Sequence, residues 1–115
     1  MDQQYREYNW REVERAFAEN KIPMGTPCSV VITVKVRTEE GAAQVRAALQ
    51  RDGFQVMGGE KKWWPFGRRW QLDATMPTPR PIARDETDRW LDLVEDRLKV
   101  YDAEVAYWTP LRPGA

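Results

Sequence analysis

Two periodicities divide the chain. Trp10, Val13 and Phe17 recur at i, i+3 and i+7, with Ala16 beside them, and Arg11, Glu12, Glu14 and Arg15 fill the positions between. That narrow apolar stripe predicts a charged helix over residues 4–20, ended by Asn20 and followed by a loop at Pro23 and Gly25. From Cys28 to Arg37 the period becomes two. Val30, Ile32, Val34 and Val36 share one face, Val31, Thr33, Lys35 and Arg37 the other, and the β-branched density predicts a strand. Thr38 is placed to cap the next helix, with Glu39 and Glu40 where its dipole favours negative charge. Ala42, Val45, Ala48 and Leu49 make its buried stripe, and Gly53 stops it. Two strands follow. Phe54–Met57 is short, whereas Trp70–Met76 alternates cleanly, with Trp70, Leu72, Ala74 and Met76 on one face and Gln71, Asp73 and Thr75 on the other.

Pro77, Pro79 and Pro81 predict irregular backbone up to Arg84. Asp85 is then the expected N-cap of a helix over Glu86–Val100 that buries Leu91, Val94, Leu98 and either Trp90 or Tyr101. Asp102 is the exit, and Ala103–Trp108 the last strand, with Val105 and Tyr107 on one face and Glu104, Ala106 and Trp108 on the other. The order is a helix followed by β-α-β-β-α-β. Its economical arrangement is an α+β fold of the ferredoxin-like, split β-α-β kind: a four-stranded antiparallel sheet with two helices on one face. The other face is left to solvent, a partner or the N-terminal helix. Residues 1–25 read as that helix and its linker, 26–110 as the domain and 111–115 as a tail.

Composition sharpens the functional question. Lys plus Arg and Asp plus Glu both number 18, so the net charge is +0 and no global field recruits or repels a polyanion. Any electrostatic recognition is local, and the local extreme is the connection between the two middle strands. Lys61, Lys62, Trp63, Trp64, Phe66, Arg68 and Arg69 crowd there, ahead of Trp70. As a contact surface, such a tip uses aromatic rings for apolar area and cations for steering, toward a partner protein (a regulated enzyme, or a toxin neutralised in the manner of an immunity protein), a second copy of the chain or single-stranded RNA. As plain structure, Trp70 and one of Trp63 or Trp64 fill the core while the cations keep a strand edge soluble. For Trp70 the structural reading is favoured, since it begins the alternating strand. Glu104 and Trp108 form a second candidate contact patch on the last strand, unless that face packs against the N-terminal helix.

The chain has no histidine, which removes the usual base near neutral pH, the Ser/His and Cys/His nucleophile pairs and the commonest metal ligand. Asp73, alone on its strand, is expected to pair with a cross-strand cation such as Lys35. Cys28 is the single cysteine; it excludes an intrachain disulfide, fits a reducing cytoplasm and reads as a small apolar filler. Met24, Met57 and Met76 read as packing residues. The first residues lack the pattern of a signal peptide, and no apolar run approaches the ~20 residues of a membrane span. The expectation is a cytoplasmic interaction domain without catalytic residues, cofactor or metal.

Three segments also resemble one known family. Leu49–Val56, Trp70–Ala74 with Met76-Pro77, and Tyr101–Pro110 are similar to the RraB-like proteins, small regulators of the endoribonuclease RNase E. Gly53, Trp70, Met76, Pro77, Glu104 and Trp108 occupy family-like positions. The resemblance implies a non-enzymatic inhibitor that binds RNase E or an RNA-degradation assembly. The longer, basic, Trp-rich tip and the net neutrality are this chain's own.

Overall fold

The apolar alternation of residues 30–36 becomes an inner strand of a four-stranded antiparallel sheet. A computed structural model describes residues 1–64 and 67–111. In chain order they form α1 (Gln3–Glu19), β1 (Pro27–Cys28), β2 (Val30–Val36), α2 (Glu39–Arg51), β3 (Gln55–Trp64), β4 (Gly67–Thr75), β5 (Arg80–Pro81), α3 (Arg84–Leu98), a 3-10 turn (Lys99–Tyr101) and β6 (Ala103–Pro110). The main sheet has the order β3-β4-β2-β6, and β1 and β5 make a separate two-stranded ribbon. This is an α+β domain with three helices and a four-stranded antiparallel sheet.

Val30, Ile32, Val34 and Val36 are fully buried, and their register partners on β4 are Leu72 for Val34 and Ala74 for Ile32. Val45 and Leu49 of α2 and Trp90, Leu91 and Leu98 of α3 belong to the same core. Thr38 caps α2 by accepting from the Gly41 amide, as its sequence required. Helix α3 differs from expectation: Ala83, not Asp85, is its N-cap, and no side chain caps it. Asp85 and Glu86 instead lie in its first turn, where their charge meets the helix dipole. Nor is the proline-rich segment wholly irregular, because Arg80–Pro81 pairs with Pro27–Cys28. So short a ribbon accepts proline, whose missing N–H matters only inside a wider ladder.

The two middle strands are longer than their alternation suggested. The β3–β4 ladder runs from Gln55↔Thr75 to Trp64↔Gly67, interrupted by a register shift between Gly58 and Glu60. Gly58 (φ 87°) and Gly59 (φ 108°) make the bulge, and a Cβ on Gly58 would sit 3.0 Å from the Gln71 carbonyl oxygen. A second irregularity, at Thr33/Val34, leaves Ala106 outside the pairing of β2 with β6. It exchanges the faces of Tyr107 and Trp108 relative to Glu104 and Val105. Trp108 stands opposite Ile32 and Val105 opposite Val34, toward the core; Tyr107 stands opposite Thr33 and Glu104 opposite Lys35, on the open face. Glu104 and Trp108 therefore do not share a surface.

On that open face Asp73 accepts from the Thr33 hydroxyl at 2.8 Å, while Lys35 turns to Glu104 at 3.4 Å. The expected Asp73–Lys35 pair does not form, because the register sets Thr33 directly opposite Asp73. Met76 is buried as expected, but Met24 and Met57 are exposed, Met57 at 72 %.

Helix α1 packs on the domain. Arg6 reaches Asp92 of α3 at 2.7 Å, and Arg84 pairs with Glu7. Trp10, Val13 and Phe17 enter the core, whereas Ala16 faces outward. The Trp108 ring lies 6.1 Å from Trp10 and 5.6 Å from Trp90, the latter edge-on. Asn9 secures the contact: its amide donates to the Trp108 carbonyl at 3.0 Å and accepts from the Trp108 N–H at 2.9 Å. Both groups face the free edge of β6, so Asn9 closes there the edge that Pro110, lacking an N–H, also blunts. At the opposite edge Arg46 donates to the Val56 and Gly58 carbonyls. Replacing Asn9 with alanine strands two buried backbone groups and is expected to cost about 1–3 kcal/mol in urea unfolding. A cost below about 0.5 kcal/mol would mean that water replaces the amide.

Candidate functional site

The site is a two-stranded tongue. Pairing of β2 with β4 ends at Val36↔Trp70, but β3 and β4 continue through Lys61↔Trp70, Lys62↔Arg69, Trp63↔Arg68 and Trp64↔Gly67. The segment expected to be a connection is thus mostly ladder, projecting past the end of the inner strand. Phe66 lies outside the described residues.

Alternation sends the two adjacent tryptophans to opposite faces. Trp63, on the helix side, is 75 % exposed, and the Arg68 guanidinium carbon lies 4.7 Å from its ring centroid. Lys61 lies over Trp70 on the same side, also at 4.7 Å. Trp64 is half-buried on the open face with Lys35 Nζ 5.2 Å from its ring, and its indole N–H is buried without a partner among the described residues. Neither Trp63 nor Trp64 belongs to the core, contrary to the structural reading of the tip; Trp70 packs against the core, as expected.

Charge is distributed unevenly along this surface. At the base, Lys35 is balanced by Glu104, and Arg37 by Asp102 at 3.4 Å. On the tongue, Lys61, Lys62, Arg68 and Arg69 have no carboxylate within ion-pair distance among the described residues. Arg69 donates instead to the Arg68 carbonyl at 2.8 Å. Of the residues expected to contact a partner, the structure brings Lys61, Lys62, Trp63, Trp64, Arg68 and Arg69 together. Glu104 joins them at the base through Lys35. Trp108, at 2 % exposure, is a core residue on the face opposite Glu104.

Cys28 is buried, its thiol donating weakly to the Thr26 carbonyl at 3.5 Å. Burial disfavours the thiolate and pushes its pKa above the ordinary 9.0. The unfolded thiol ionises first as pH rises, so the stability this contributes is whole below pH 9.0 and is lost as pH climbs through the raised folded value. Urea unfolding from neutral to alkaline pH is expected to show a steeper decline for wild type than for Cys28→Ala. Parallel declines would count against a shifted thiol.

No helix of the described residues is long and apolar enough to cross a membrane. The class defined so far is an α+β domain with a projecting, cation-rich aromatic tongue. No protein-family model matches the chain, and no curated protein matches it either.

Proposed function

We propose that this is a non-enzymatic regulatory domain that binds another macromolecule through the β3–β4 tongue, with Trp63 and Arg68 as the anchor. The carrying observation is the exposed, guanidinium-stacked Trp63 ring on a hairpin that projects beyond its sheet. An indole held in water gains nothing for the fold, whereas Trp and Arg are the residues that dominate interface energies. Total lack of histidine and engagement of Asp73 by Thr33 favour binding over acid–base catalysis.

The strand order β3-β4-β2-β6, with one helix in each crossover, supports a ferredoxin-like reading of the fold. That scaffold is compatible with the RraB-like resemblance at Gly53, Trp70, Met76 and Pro77, and the resemblance supplies the partner: RNase E or an RNA-degradation assembly in the cytoplasm, modulated by occlusion of a surface. Fold alone names no partner. The test is cleavage of a single-stranded RNA by purified RNase E with increasing amounts of this protein. Saturable slowing that Trp63→Ala relieves is expected. Unchanged cleavage at large molar excess would reject RNase E as the target.

The unpaired tongue cations favour one alternative, direct single-stranded RNA binding. It predicts affinity that falls steeply with salt and quenching of Trp63 by an oligonucleotide. A protein interface predicts a weak salt dependence and no quenching by RNA.

A further inference from the structure

We propose that a groove between α1 and β6, remote from the tongue, binds an apolar organic cation such as a quaternary ammonium or amphipathic amine. The groove encloses about 390 Å³. Ligand sites for small molecules span roughly 300–1,000 Å³ and are mostly apolar with a few polar groups.

Its floor is Val13, Phe17 and Trp108, all buried, and its walls carry the exposed rings of Tyr5, Tyr8 and Tyr107. Tyr5, Tyr8, Glu12 and Ala16 follow i, i+3, i+7 and i+11 on α1, forming a second stripe beside the buried one. Ala16 leaves the space between the two walls open.

Charge selects the occupant. Among the described residues, Glu12 is the one ionised side chain in the lining, and no lysine or arginine contributes to it. Arg15, itself exposed, pairs with Glu12 through Oε2 and compensates part of that charge. Three tyrosine rings and a carboxylate in one apolar lining favour a desolvated cation over an anion, which makes a nucleotide or other phosphate ester the poorer fit. A partner strand is excluded, because Asn9 already holds both Trp108 backbone groups and Pro110 offers no N–H.

Isothermal titration with tetraphenylphosphonium, and with its isosteric anion tetraphenylborate, tests the proposal on the full chain. The cation is expected to bind and the anion not. Glu12→Gln should weaken the cation about two- to fivefold, as an exposed charge does. Ala16→Trp, at an exposed helix position, should fill the groove and abolish binding, with a thermal melt verifying its fold. Tyr107→Ala, which keeps the floor, should weaken binding in its own right. Equal binding of the anion, no binding of either ion, or unchanged affinity in Ala16→Trp overturns the proposal. So does a concentration-dependent dimer in sedimentation that Ala16→Trp dissociates, since a second copy would then be the occupant.

Discussion

Trp63→Ala is expected to leave unfolding stability within about 0.5 kcal/mol of wild type while weakening partner binding by at least about 2 kcal/mol, roughly thirtyfold in Kd. The asymmetry follows from position. The ring is already three-quarters in water, beyond the last pair of the β2–β4 ladder, so its removal uncovers little and opens no cavity. In a complex the same ring would be desolvated with Arg68 stacked on it, and both contributions would vanish together. Arg68→Lys keeps the charge but loses the planar stacking surface, so it should cost less than Arg68→Ala yet remain measurable. The two positions touch, so the Trp63→Ala/Arg68→Ala double variant should lose less than the sum of the single losses. Affinity titrations and urea unfolding on wild type and these four variants check this. A stability loss above about 2 kcal/mol with unchanged affinity would make Trp63 a structural residue.

Trp108→Ala carries the largest expected stability effect, about 3–5 kcal/mol. Against the ~5–15 kcal/mol typical of a whole domain, that removes a large fraction of the total. Three elements meet at this ring: Trp10 of α1, Trp90 of α3 and Ile32 across the β2–β6 ladder. Truncation leaves a void bounded by two other indoles that cannot collapse without moving helices. Because α1 is tied to β6 through this ring and through Asn9, its amides should lose hydrogen-exchange protection before those of β2. A loss below about 1 kcal/mol with α1 still protected would place the junction elsewhere.

The legible parts of the fold were those where one periodicity runs unbroken between recognisable ends. Strand β2 and helix α2 qualify: four buried valine and isoleucine positions in strict alternation, then a Thr38 cap and a Gly53 stop. Strand β4 qualifies through its Trp70–Met76 alternation. Bulges hid the rest, because one extra residue reverses every later side chain. Gly58-Gly59 ended the visible alternation of β3 at Met57, so the tongue passed for a connection. An unpaired Ala106 moved Trp108 to the core and Tyr107 to the open face, and nothing local in Ala103–Trp108 announces that step.

The site divides in the same way. Its composition was legible, since tryptophans between cation pairs are conspicuous in a neutral chain. Which ring faces water was not. That depends on where β2 stops and on Lys35 reaching Trp64, both facts of register. The docking of α1 had a legible stripe in Trp10, Val13 and Phe17, but Asn9, its polar clasp, resembled a surface residue. Tyr5, Tyr8 and Glu12 were passed over for a related reason: two tyrosines and an acid read as a solvated helix face until β6 is placed beside them, while Ala16 reads as part of the buried stripe instead.

Covering of the tongue by a macromolecule is tested most directly inside the source cell. A photo-crosslinking amino acid is placed at Trp63 and, as a control, at Leu93, which is 64 % exposed on α3. The account predicts a discrete high-mass adduct from position 63 upon illumination and none from position 93. Adducts equal at both positions, or absent from position 63, would contradict it.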